Sequence, residues 1–91
     1  MDLHLHQLLE SEKGMTKHDK LLFQLQKAQE FVERARGLGY KKVILIHGIG
    51  SGKLKSELLR LFQSHPVDVE EAPYAEFGQG AMEISLIRGR S

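Results

Sequence analysis

Residues 44–59, "ILIHGIGSGKLKSELL", decide how this chain folds. An aliphatic run ends at His47, Gly48, Gly50 and Gly52 alternate with Ile49 and Ser51, and an amphipathic run begins at Lys53. Extended backward to "KKVILIH" at 41–47, the first part predicts a central strand covered on both faces, because continuous Val, Ile and Leu leave no polar side for water. The second part sets Leu54, Leu58, Leu61 and Phe62 on one helical stripe from about Lys53 to Ser64, and His65-Pro66 stops it. Between them, backbone without Cβ atoms turns tightly and a helix opens with unpaired amides at its positive end. An anion is stabilised at such a corner, and Lys53 and Lys55 add charge beside it. A plain strand-to-helix turn uses similar glycines, but two lysines directly after them tilt the reading toward an anion site.

The corner does not fit a nucleotide. A Walker A loop needs four residues between its first glycine and the Gly-Lys pair, then a hydroxyl for magnesium. Here Gly48 and Gly52 enclose three residues, and Leu54 follows Lys53. The even spacing of Gly48, Gly50 and Gly52 also fails the dinucleotide fingerprint, and the downstream acidic residue has no convincing candidate because only one full βαβ unit precedes the terminal strands. No nucleotide cofactor is expected.

Outward from the corner, "MDLHLHQL" alternates strictly and reads as a short strand with Leu3 and Leu5 on one side and Asp2, His4 and His6 on the other. A polar loop containing Gly14 follows. Thr16 with Asp19 makes an approximate capping box, and Leu21, Leu25, Ala28, Val32 and Ala35, widened by Leu22 and Phe31, form a helical stripe ended by Gly37 and Gly39. "VDVEEAP" and "AMEISLI" read as two further strands joined by "YAEFGQG", whose glycines predict a tight connection. The order β-α-β-α-β-β predicts an α/β domain with a mixed four-stranded sheet, largely parallel at first, whose last strand is antiparallel because its connection is too short for a crossover.

Composition bounds what such a domain does. Ninety-one residues make one domain, able to bury roughly 60–65% of its unfolded surface. With 13 Lys and Arg against 12 Asp and Glu, the net charge of +1 means that nucleic-acid binding must come from local clusters. The absence of cysteine excludes disulfides, thiolate zinc sites and a cysteine nucleophile, and fits a reducing compartment. No apolar stretch is long enough for a membrane span, so no membrane association and a cytoplasmic location are expected.

Two parallel strands joined by a helix are right-handed neighbours, and open α/β sheets bind ligands at the edge where their strands end. Asp2, His4 and His6 should therefore lie beside the loop that begins at His47. The expected catalytic residues are Asp2, His4 and His47, and the expected phosphate-binding residues are Gly48, Gly50, Ser51, Gly52, Lys53 and Lys55, with Lys41, Lys42 and Arg60 as outer supports. His18 and His65 sit in polar or terminal positions and are assigned no function. "D-x-H-x-H" also resembles the metal-binding opening of amidohydrolase-like barrels, which need far more chain than this. A smaller metal site on Asp2, His4 and His6 stays open, since imidazole and carboxylate suit Zn or Mn, although no second carboxylate cluster completes its ligand set.

"DLH" on the first strand, "HGIGSGKL" after the second and "YAEFGQGAMEISL" near the end together resemble the small MutS-related (Smr) domain, over nearly the whole chain. The motif H-G-x-G-x-G-x-L is complete in His47, Gly48, Gly50, Gly52 and Leu54, and Gly78 and Gly80 match the late glycines. Leu5-His6 replaces the glycine that follows "DLH" in the family, Met1 stands in place of its first Leu, and the connection from about Glu10 to Lys17 is longer. The resemblance implies a two-layer sandwich like the C-terminal domain of translation initiation factor 3, and a C-terminal module of a larger protein. It also implies nucleic-acid binding with nicking endonuclease activity on DNA or RNA. Water attacking DNA would be helped by a divalent ion (Mg or Mn), whereas a 2′-OH attacking within RNA needs none. The alternative is a non-catalytic module that binds nucleic acid, or a protein partner through an exposed "AMEISLI" edge. With Tyr40 and Tyr74 the only tyrosines and no Trp, backbone or structure recognition is expected over base reading.

Overall fold

The computed structural model describes residues 1, 3, 14–48 and 52–86. Helix α1 (Lys17–Gly37) begins with the box expected at Thr16. The Asp19 amide donates to Thr16 Oγ1 at 3.0 Å and the Thr16 amide to Asp19 Oδ2 at 3.2 Å, so two amides that open the helix are satisfied reciprocally. Ala28, Val32 and Ala35 are buried, and Leu25 and Phe31 pack partly against them. Leu22, expected to widen the stripe, is half exposed. Past the helix end, Gly39 adopts φ +89°, which lets the Gly39 and Tyr40 amides reach the Arg36 and Ala35 carbonyls at 3.1 and 3.0 Å.

Strand β1 (Lys42–Ile46), helix α2 (Lys53–Phe62), strand β2 (Asp68–Glu71), helix α3 (Tyr74–Phe77) and strand β3 (Ala81–Ser85) follow. The sheet order is β1-β3-β2, and both pairings are antiparallel. Leu45 faces Met82, and both Val43 and Val69 face Ile84. These side chains form one core with Leu3, Ala28, Val32, Leu58 and Phe62, so α1 and α2 meet on one face of the sheet.

Two expectations are corrected here. Among the described residues the sheet has three strands with both pairings antiparallel, and the first strand of the expected mixed four-stranded sheet falls mostly outside them. β1 and β2 do run in the same direction, but β3 lies between them. Burial explains the order: Ala81, Met82 and Ile84 are almost completely buried, so β3 takes the centre, whereas Asp68, Glu70 and Glu71 are exposed and suit an edge. Strand β3 therefore offers no free edge to a partner. Finally, "YAEFGQG" is no simple tight turn. Pro73 accepts from the Glu76 and Phe77 amides at 3.1 and 2.9 Å, winding the one-turn α3, and Gly78 at φ 74°, ψ −156° ends it.

The expected first strand falls mostly on Asp2 and residues 4–8, outside the described residues. Met1 and Leu3 are described. The Ile46 amide donates to the Met1 carbonyl at 2.7 Å and the Leu3 amide to the Ile46 carbonyl at 2.8 Å. One residue bonding to both neighbours of its partner is the slanted pattern of parallel pairing. β1 is thus hydrogen-bonded on both sides, and Leu3 is fully buried beneath it.

Candidate functional site

The end of β1 is locked to the start of β3 through glycine. The His47 and Gly48 amides both donate to the Gly80 carbonyl, at 2.8 and 3.0 Å. A Cβ on Gly80 would stand 2.9 Å from the Gly48 Cα, so the two backbones meet where no side chain fits. Gly48 itself has φ +82°, which redirects the chain out of the strand. Gly52, at φ +84°, caps α2 without a side-chain hydrogen bond, and no acidic residue stands in the first turn. The amides of that turn and the positive dipole end consequently face the cleft with Lys53 and Lys55 beside them.

His47 is half-buried in this corner. Its Nδ1 lies 2.7 Å from the Gly48 carbonyl oxygen. A carbonyl only accepts, so Nδ1 carries the proton and Nε2 holds the lone pair of the neutral ring. Nε2 is buried and has no hydrogen-bond partner among the described residues. Burial pushes the His47 pKa below the usual histidine value; the Gly48 hydrogen bond opposes this, the Lys55 charge adds to it, and the Glu71 charge opposes it. The ring is therefore neutral at physiological pH.

A cleft of about 380 Å³ is lined by His47, Gly48, Gly52, Lys55, Glu71 and Gln79. It adjoins a smaller one that shares His47, Gly48, Gly52 and Lys55 and adds Gln24, Lys53 and Leu54. Gln24 reaches from α1 to donate to the Leu3 carbonyl at 2.7 Å, tying the chain's opening to the same corner. Both lysines are engaged: Lys53 lies 3.5 Å from Glu57 and Lys55 3.6 Å from Glu71. Each pair is exposed at one end and partly covered at the other, and such surface pairs are weak. A larger groove of about 410 Å³, lined by Phe31, Leu38, Tyr40 and Val43 with Arg34 and Lys42 at its rim, lies at the opposite end of β1. Its lining is mostly carbon.

Of the residues expected from sequence, the structure brings together His47, Gly48, Gly52, Lys53 and Lys55. Asp2, His4, Gly50 and Ser51 lie outside the described residues. Lys42, proposed as a support, starts β1 and stands about 16 Å from His47 along the strand. His65 is structural, with Nδ1 donating to the Leu61 carbonyl at 3.0 Å and its ring edge-on to Phe62. Sequence reasoning missed Gln24, Glu71 and Gln79, which reach the site only through tertiary packing. Among the described residues, no three His, Asp or Glu side chains stand close enough to hold a metal ion, and no helix is long and apolar enough to cross a membrane.

The sequence model of the family described as "Smr domain" matches residues 2–87. A stretch of 28 residues, 31% of this chain, is 64% identical to a protein named "Endonuclease MutS2" from Aquifex aeolicus (strain VF5). That stretch is 4% of the relative's own length. No solved structure matches the chain.

Proposed function

This chain belongs to the Smr domain family, and on that premise we propose that it binds nucleic acid at the His47 corner and nicks the bound DNA or RNA strand. The observation that carries this reading is His47, a residue that lines the cleft at the amide end of α2 and whose buried Nε2 has no partner among the described residues. In the proposed step a phosphate sits against the amides of Gly50, Ser51 and Gly52 and the ammonium groups of Lys53 and Lys55, which stabilise charge growing on its oxygens. His47 Nε2 takes the proton of the attacking hydroxyl, from water or from a ribose 2′-OH. The new O–P bond forms as the leaving oxygen departs and takes up a proton. Asp2 and His4 supply the acid or orient the base. A Mg or Mn ion, if used, would be held by Asp2, His4 or His6 and would help to activate water.

The same reading makes the chain a C-terminal module of a larger cytoplasmic protein, framed as a two-layer sandwich like the C-terminal domain of translation initiation factor 3. A second reading, a non-catalytic nucleic-acid or protein-binding module, draws support from the Glu57 and Glu71 carboxylates that already pair with the two lysines. Plasmid nicking and RNA cleavage by His47→Ala and Asp2→Ala, with and without chelator, separate the readings. Loss of cleavage with binding retained supports the nuclease, whereas salt-dependent binding without cleavage by the unaltered domain supports the module.

A further inference from the structure

Two exposed aromatic rings stand on the short helix whose chain leads through Gln79 and Gly80 into this corner. Tyr74 and Phe77 stand three residues apart on the single turn of α3, which puts them on neighbouring positions of one side. Tyr74 is 68% exposed and Phe77 36%. Neither belongs to the buried core cluster.

Their backbone is nevertheless held firmly. The Pro73 carbonyl accepts from Glu76 and Phe77, and the Gly78 amide donates to the Tyr74 carbonyl at 2.8 Å. Gly78 then takes a conformation that only glycine adopts readily, and Gly80 abuts Gly48 with no room for a Cβ. Phe77 precedes Gly80 by three residues, so its Cα lies within about 11 Å of the glycine whose carbonyl binds the His47 and Gly48 amides. Gln79, between them, lines the cleft. The backbone that carries the rings is thus anchored to the corner through Gly80 and Gly48.

An aromatic face left in water next to a phosphate site suits a nucleobase, because every base has a π-face that stacks without regard to sequence. In a duplex those faces are already stacked on their neighbours, so the ligand is an unpaired base. Glu76, exposed on the same turn, repels phosphate and so favours a base over backbone at this spot. Resting on the function proposed above, we propose that Tyr74 and Phe77 stack an unpaired base of the strand whose phosphate occupies the His47 corner, which makes the substrate single-stranded or locally unpaired nucleic acid.

The test is a fluorescence-anisotropy titration of the unaltered domain and the Tyr74→Leu/Phe77→Leu variant, with matched folds by circular dichroism. Three labelled probes are used: a single-stranded oligonucleotide, its duplex, and a strand of the same length with abasic sugars. The variant should lose at least about five-fold in affinity for the single strand and keep its affinity for the duplex and the abasic strand. Equal losses on all three probes, or no loss on the single strand, overturn the stacking role while leaving nucleic-acid binding intact. Failure of the unaltered domain to bind any probe overturns the functional reading and this inference with it. In a Tyr74→Trp variant, the single strand should quench indole fluorescence and the abasic strand should not; equal quenching by both counts against stacking.

Discussion

At the scale of single residues the proposed chemistry rests on His47. Its Nδ1–H is committed to the Gly48 carbonyl and its Nε2 has no partner among the described residues, so in the proposed role the ring acts as a base only when neutral. Activity should therefore rise with pH through a midpoint below the usual histidine value of about 6.5. Lys55 disfavours the imidazolium and Glu71 favours it. The midpoint in a kcat/KM–pH profile should accordingly move up in Lys55→Gln and down in Glu71→Gln; movement in the opposite sense would remove Nε2 as the titrating base. Gly80 offers a purely structural counterpart. Gly80→Ala forces a methyl to 2.9 Å from the Gly48 Cα and should cost about 1–3 kcal/mol in a urea melt, with loss of nucleic-acid binding in whatever fraction stays folded. His47 and the two lysines were legible in the sequence because they adjoin the glycines of one contiguous loop. Glu71 and Gln79 were not, since long-range packing brings them in and no local pattern marks them.

Individual elements were legible where their signals are local. The Thr16–Asp19 box and the Ala28, Val32 and Ala35 stripe of α1 follow from spacing alone, and the structure has both. Thr16→Ala should remove a cap worth about 1 kcal/mol, lowering Tm by roughly 4–8 °C for a domain of this size; an unchanged calorimetric Tm would mean that α1 is anchored by its packing alone. Strand order was not legible, because alternation and apolar content identify strands without saying which one lies at the centre. In hindsight the contrast between "DVEE" and "AMEIS" carries that information: the acidic strand tolerates water along one edge and the apolar one does not. Helix α3 was hidden by the glycines around it, although Pro73 before a run of Tyr, Ala, Glu and Phe is a sound first-turn signal.

Across the molecule as a whole, several segments distant in sequence meet at one end of β1. Met1 and Leu3 flank Ile46 in parallel register, Gln24 pins Leu3 from α1, Gly80 pins His47 and Gly48 from β3, and α2 opens onto the same cleft. Segments separated by some eighty residues of chain thus converge within a single corner, while the carbon-walled groove occupies the other end of the strand. Amide chemical shifts recorded while a single-stranded oligonucleotide is titrated into the isotopically labelled domain report directly on where nucleic acid seats. The largest, salt-sensitive changes should fall on His47, Gly48 and Gly52 through Lys55. Changes gathered instead around Phe31, Leu38 and Tyr40, with the corner amides unmoved, would contradict the account.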